Sequence, residues 1–422
     1  MTTVRRLMSP MKWAGLVLLA VLCCAQLAAF IWFARRYPIT PFSDFEGYWN
    51  EAGNLAEYFK GGALAFLFWP FKALGLSPTT AALILHSLSF LGVVATTVRY
   101  GFRAQAGAPF YRVLTLVPLF LWFAIWVPLV GFVEVMLIHT SLLIIGLQML
   151  YLSQRRAVVI VGMVLVYMSF TMRAQAMLIF GMLIVVFGVL SRFVRIDHRF
   201  AKRTLLLIPC LILAVGTETT LLHFSNNRVL AKHHQRAPLY AGWVTADTKD
   251  PQICGAWSME AAELSRKELD LPVTQIIART LQTRGVGFLF QIAACKLNRV
   301  PRTQYISAGW PLIFYVHLQK QSQMESQLLH YADLETQVTD YMRYGFLTLL
   351  GILLIALVVE LRRGQRHAAG SLLFLALLLL AHAVIYAVFE LNSRYLLSLY
   401  GCVAFAFLTY RSIDILESPK PV

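Results

Sequence analysis

Runs of about 20 apolar residues recur along this chain, the length at which a helix crosses a hydrocarbon core of about 30 Å. In lipid every backbone N–H and C=O must find its partner inside the protein, so such runs restrict the fold to a helix bundle. About ten spans are expected on this length criterion, centred near Leu19, Ser89, Phe120, Ile144, Leu165, Val185, Leu213, Leu354, Leu377 and Val403. Composition agrees: 58% of the 422 residues are hydrophobic and 14% are charged, against about 25% charged in soluble domains. The chain therefore reads as an all-α polytopic membrane protein with short interfacial helices. The first run follows MTTVRRLMSPMK without a small-residue cleavage site and is expected to be a retained helix, with Trp13 and Trp32 as anchors at its two ends. ALAFLFWPFKALGL (63–76) is too short to span, is interrupted by Pro70 and Lys72, and is expected at the interface.

The formal net charge of +16 is read as topology rather than as affinity for nucleic acid. With the N-terminus in the cytoplasm, the inner segments collect Arg5, Arg6, Lys12, Arg99, Arg103, Arg112, Arg155, Arg156, the cluster RFVRIDHRFAKR (192–203), Arg362, Arg363, Arg366, Arg411 and Lys420. Short outer loops hold far fewer cations; Arg35 and Arg36 run against the trend. The expected organisation is an N-terminal membrane module (1–222) with an acidic first outer loop (34–61) and the interfacial helix (62–76). An extracytoplasmic subdomain (223–341) and C-terminal membrane helices (342–422) follow. Within the outer segment, TRGVGFLFQIAACKLNRV (283–300) has the pattern of an amphipathic interfacial helix.

Phosphate loops, CxxC pairs, HExxH and internal repeats are absent from the sequence. Cys254 and Cys295, both in the outer segment, would form a disulfide in an oxidising compartment or remain two thiols. His233-His234 is expected in a solvated loop, because adjacent histidines do not face one metal centre without further ligands.

Ionisable groups beside a membrane are costly and point to function. In the proposed orientation His86, His139, Arg173, Glu134, Glu218, His382, Glu390 and Arg394 all fall in outer halves of helices, with Asp44 and Glu46 over the same face. A secondary transporter would need midplane sites and broken helices in two related halves, which this sequence lacks. An enzyme acting on a lipid-anchored substrate would gather acids and arginines at one interface. For sugar transfer from a polyprenyl phosphate, a loop carboxylate serves as base, and Arg173, Arg394 and Lys296 neutralise the leaving phosphate. A single base with in-line attack predicts inversion at the anomeric carbon.

SDFEGYW, after the first helix, resembles the first extracytoplasmic loop of GT-C glycosyltransferases, in the branch of protein O-mannosyltransferases and aminoarabinose transferases. GFVEVMLIH (131–139) is similar to that family's outer glutamate, SFTMRAQAMLIF (169–180) to its Arg-Pro-x-Ala turn, and ELNSRYLL (390–397) to its Glu-x-x-x-Arg-Tyr element. The sequence departs from the pattern at Phe45, which separates the two acids, and at Ala174 and Val135, where the family has proline. The resemblance implies a glycosyltransferase with a polyprenyl-phosphate sugar donor and a glycolipid, lipopolysaccharide or other envelope-glycan acceptor. Its catalytic base maps onto Asp44; Glu46 is the second candidate, or a partner that orients the acceptor or a divalent cation. Glu134, Glu390 and Tyr395 map onto further site positions. No other cofactor is implied.

Each residue also has a structural role open to it. Asp44 could cap a helix beginning near Glu46, Glu134 could favour a helix start, Arg173 could snorkel, and Arg394 could pair with Glu390. Lys296 suits a solvated or headgroup position, and His86, His139 and His382 suit bonds between helices. An envelope polysaccharide polymerase or ligase and a lipid-linked sugar flippase remain alternative functions; a scaffold fits least, because it does not explain so many charges at one level.

Overall fold

The computed structural model describes residues 10–36, 44–58, 61–101, 135–192, 198–247, 254–255 and 258–299. Beyond these it describes 316–317, 320, 323–330, 333, 337, 351, 354–362 and 366–388. Every regular element among them is helical. Expected spans centred at Phe120 and Val403 lie outside the described residues, and the other eight centres fall in helices. Among the described residues, three helical stretches are long and apolar enough to cross a membrane: Trp13–Arg36, Pro78–Tyr100 and Phe200–Phe224.

α1 (Pro10–Arg36) exposes Trp13 and Trp32 equally, at 59%. Nineteen residues of helix separate these indoles by about 28 Å, close to the thickness of a bilayer core, so the anchoring expected of them fits the geometry. At its C-terminal end α1 buries Phe30 edge-on against His86 and Phe90 of α4 (Pro78–Gly101). Between them come α2 (Asp44–Glu51) and α3 (Gly62–Ala73). α5 (Val135–Leu152) runs parallel to α4, with Gln148 Nε2 donating to Thr97 Oγ1 at 3.0 Å. A short turn leads into α6 (Arg156–Met172), antiparallel to α5, and Arg173 alone separates α6 from α7 (Ala174–Leu190).

At the far end of the bundle from α2, α8 (His198–Leu205) leads through Leu206 into α9 (Leu207–Phe224). Beyond α9 the expected outer segment builds its own small core. α10 (Arg228–Leu239), a π-helical turn (Tyr240–Val244), α11 (Met259–Lys267), α12 (Val273–Arg284) and α13 (Gly287–Arg299) surround Tyr240, Trp243, Ala261, Ile276, Phe288 and Ile292. Cys254 and Cys295 are joined as a disulfide inside that core, with Cα atoms 6.3 Å apart. Glu268 ties three elements together: it accepts from the Tyr240 hydroxyl at 2.7 Å and from Arg279 at 2.5 Å, and its carbonyl accepts from Arg236 at 3.0 Å. The His233-His234 pair corrects the solvated-loop expectation, because His233 lies in α10, is buried, and stands 2.7 Å from Ser265 Oγ. The subdomain touches α14 (Arg366–Val388) through α13 and the π turn.

Candidate functional site

The acidic stretch reaches the bundle as a helix. Asp44 is the first residue of α2 and so does not precede a helix opening near Glu46. Further along α2, Tyr48 and Glu51 are buried at 3% and 1% exposure, while Asn50 is exposed.

α3 holds α2 in place. Lys72 Nζ donates to the carbonyls of Trp49 (2.9 Å) and Asn50 (3.3 Å), which lack partners at a helix C-terminus. Trp49 sits edge-on against Phe68, with centroids 5.7 Å apart. The chain enters α3 through Gly61 at φ +74°, where a Cβ would stand 3.2 Å from the Tyr48 ring and 3.8 Å from the Met172 carbonyl. Glycine supplies both the left-handed backbone and the room. Tyr48, Leu64, Ile138 and Met172 thus share one buried cluster: the acidic helix and the end of α6 are packed together.

Arg173 follows directly. It is extended (φ −144°, ψ 112°) and partly buried, its N–H donates to Phe170 O at 3.3 Å, and its carbonyl accepts from Ala176 N at 3.0 Å. One turn earlier, His139 Nδ1 lies 2.9 Å from both the carbonyl and Oγ of Ser169, and Ser169 Oγ donates to His139 O at 3.1 Å. This is the bond between helices expected of His139. His86 and His382 each bond a carbonyl four residues back on their own helix, Ala82 at 2.8 Å and Leu378 at 2.7 Å.

A third element closes the group. The hydroxyl of the fully buried Tyr58 donates to the Glu218 carboxylate on α9, beside Gly62, where a Cβ would come within 3.4 Å of Glu218 Oε1. Burial, and then the Glu218 charge, push the Tyr58 phenol far above its ordinary range and keep it a donor. The rest of the loop is bonded to the end of α9: Ser225 Oγ donates to Tyr58 O, Asn226 N to Ala56 O at 2.8 Å, and Asn227 Nδ2 to Glu57 O at 2.9 Å. Sequence reading singled out Glu218 but gave no signal for its partner, 160 residues away. Nor did it single out Glu51, which is buried at 1% exposure.

The predicted set is thus brought together in part. α2, which opens at Asp44, packs against the end of α6, directly before Arg173. Lys296 lies instead in the outer subdomain's core, buried, with its stem over Gly255; a Cβ at Gly255 (φ +69°) would stand 2.3 Å from Lys296 Cε. That position replaces the solvated or headgroup placement its helix pattern suggests. Glu134, Glu390, Arg394 and Tyr395 lie outside the described residues. Among the described residues no three His, Cys, Asp or Glu side chains are grouped to hold a metal ion.

Among the described residues these features define an all-helical protein, with three helical stretches that could cross a membrane by length and composition. Compared with known proteins, the chain matches no family model, no curated protein and no solved structure.

Proposed function

We propose that this chain is a multi-pass glycosyltransferase of the bacterial inner membrane, related to the GT-C superfamily. It transfers one sugar from a polyprenyl phosphate to a glycolipid or other envelope glycan on the outer face. The observation that supports this reading is the shared packing of the acidic helix α2 with the Arg173 turn at one end of the bundle. The exposed cations Arg155, Arg156, Arg192 and Lys202 lie at the other end. Under the positive-inside rule the basic end is cytoplasmic and the acidic helix faces outward.

In this mechanism Asp44 takes the proton from the acceptor hydroxyl as its oxygen attacks the anomeric carbon. The bond from that carbon to the phosphate oxygen breaks, and polyprenyl phosphate leaves with its charge held by Arg173 and Arg394. A phosphate so neutralised is a good leaving group, so no strong general acid is required. Attack opposite the leaving group inverts the configuration.

The test is transfer from radiolabelled undecaprenyl-phosphate hexoses and pentoses to envelope lipid extracts, by membranes carrying wild type or D44N. Wild-type transfer with a loss of at least about 100-fold in D44N is the expected result. Undiminished transfer by D44N removes Asp44 from the mechanism, and no transfer from any donor by the wild type removes the activity itself.

A further inference from the structure

We propose that the basic end of the bundle carries a site for an anionic phospholipid, its phosphate held by Arg192 and Lys202 with Arg155 and Arg156 alongside. The inference is independent of the transfer reaction. It begins with how firmly α8 is fixed. Phe200 is buried against Tyr151, Phe187 and Phe374, with ring centroids 4.9, 5.9 and 6.0 Å away. Thr204 Oγ1 bonds the Tyr151 hydroxyl at 2.9 Å, and the Arg203 guanidinium donates to the Leu150 carbonyl near the end of α5. A helix clamped by one face to α5, α7 and α14 presents Lys202 from its other face as part of a rigid platform.

Arg192, just past α7, and Arg155 and Arg156, between α5 and α6, are exposed at the same end. None of these four cations forms an ion pair among the described residues. A positive-inside bias requires only that cations lie in the inner segments. It does not require them to be fixed on packed helices beside bare apolar surface, and that is their setting here.

Val185 and Val189 follow one another one turn apart on α7, and Arg192 lies in the turn just past its end, its N–H bonded to the Val189 carbonyl at 3.2 Å. The valines are 66% and 53% exposed, and nothing lies within 4 Å of a Cβ built on Gly188. Leu205, on the neighbouring α8, is 56% exposed. This surface offers an acyl chain a path in the hydrocarbon that ends at a guanidinium, the better planar partner for phosphate oxygens. An apolar track topped by unpaired cations fits a diacyl phosphate ester better than a soluble anion.

The experiment reconstitutes the full chain in nanodiscs of phosphatidylcholine mixed with phosphatidylglycerol or cardiolipin and counts retained lipids by native mass spectrometry. Wild type is expected to retain the anionic lipids preferentially, and R192Q/K202Q to lose that preference by about fivefold for each cation removed. The single variants R192Q and K202Q report the same loss if the double variant is not recovered. K232Q/K267Q, which removes exposed cations of the outer subdomain, is expected to retain the preference. Equal retention of phosphatidylcholine, or an unchanged preference in the Arg192 and Lys202 variants, overturns the proposal. Displacement of the bound lipid by inorganic phosphate alone also overturns it, because the acyl chain would then contribute nothing.

Discussion

Gly146 and Gly162 face each other across α5 and α6 so closely that a Cβ on either would stand 2.8 Å from the carbonyl oxygen of the other. In a bilayer, helices gain little from burying apolar surface against one another, so close backbone approach of this kind carries much of the association. The pair sits roughly midway along the hairpin that delivers His139, Ser169 and Arg173 to the far end. G146L or G162L forces the two backbones apart, and overpacking of this kind costs about 1–3 kcal/mol or more. Thermal unfolding in detergent is expected to shift down for either leucine variant, whereas G188L, whose Cβ meets nothing within 4 Å, is expected to leave the midpoint in place.

The Tyr58–Glu218 bond holds the end of the acidic loop to α9. Y58F leaves a part-buried carboxylate without its donor, and such an orphan costs about 1–3 kcal/mol. E218Q keeps an acceptor oxygen for the Tyr58 hydroxyl and removes the charge, so it is expected to be milder than Y58F. The check is thermal unfolding of the two variants with the double variant Y58F/E218Q. If the bond carries the effect, the double variant falls short of the sum of the singles.

Much of this bundle was legible in the sequence because an apolar run of membrane length has few structural options. The same holds for Arg173, a lone cation where one apolar run meets the next, which proves to be the single residue between α6 and α7. Short polar helices were not legible. α2 and α10 are only 8 and 12 residues long, below the length at which a helix is stable alone, so tertiary packing decides their form. That is why His233 read as a loop residue. Pairs distant in sequence, such as Tyr58 with Glu218 or His233 with Ser265, leave no periodic trace in a single chain.

The disulfide between Cys254 and Cys295 links residues 41 apart within a subdomain too small to bury a large core. Removing such a link costs about 2–4 kcal/mol. C254S/C295S is expected to expose the 228–299 region to trypsin and to raise its hydrogen exchange, while peptides of α5 and α6 exchange as before. Two thiols that react with maleimide in the native protein without reductant would show that the link is not formed.

Acid should loosen the same subdomain in two stages. His233 is held below its ordinary value of 6.5 by burial and then by Arg266, so the folded form resists its protonation. That contribution is complete above pH 6.5 and declines as pH falls below it. Glu268 is held below 4.5, mainly by its bond from Arg279, and the stability it adds is complete above that pH and lost as pH falls through its lowered value. Both slopes therefore point the same way, with the histidine acting first. Thermal unfolding followed at a series of pH values is expected to show a decline beginning near 6.5 and a second below 4.5. H233N should remove the upper decline and E268Q the lower, each at the cost of a less stable subdomain at neutral pH. A subdomain that grows more stable on acidification would contradict both assignments.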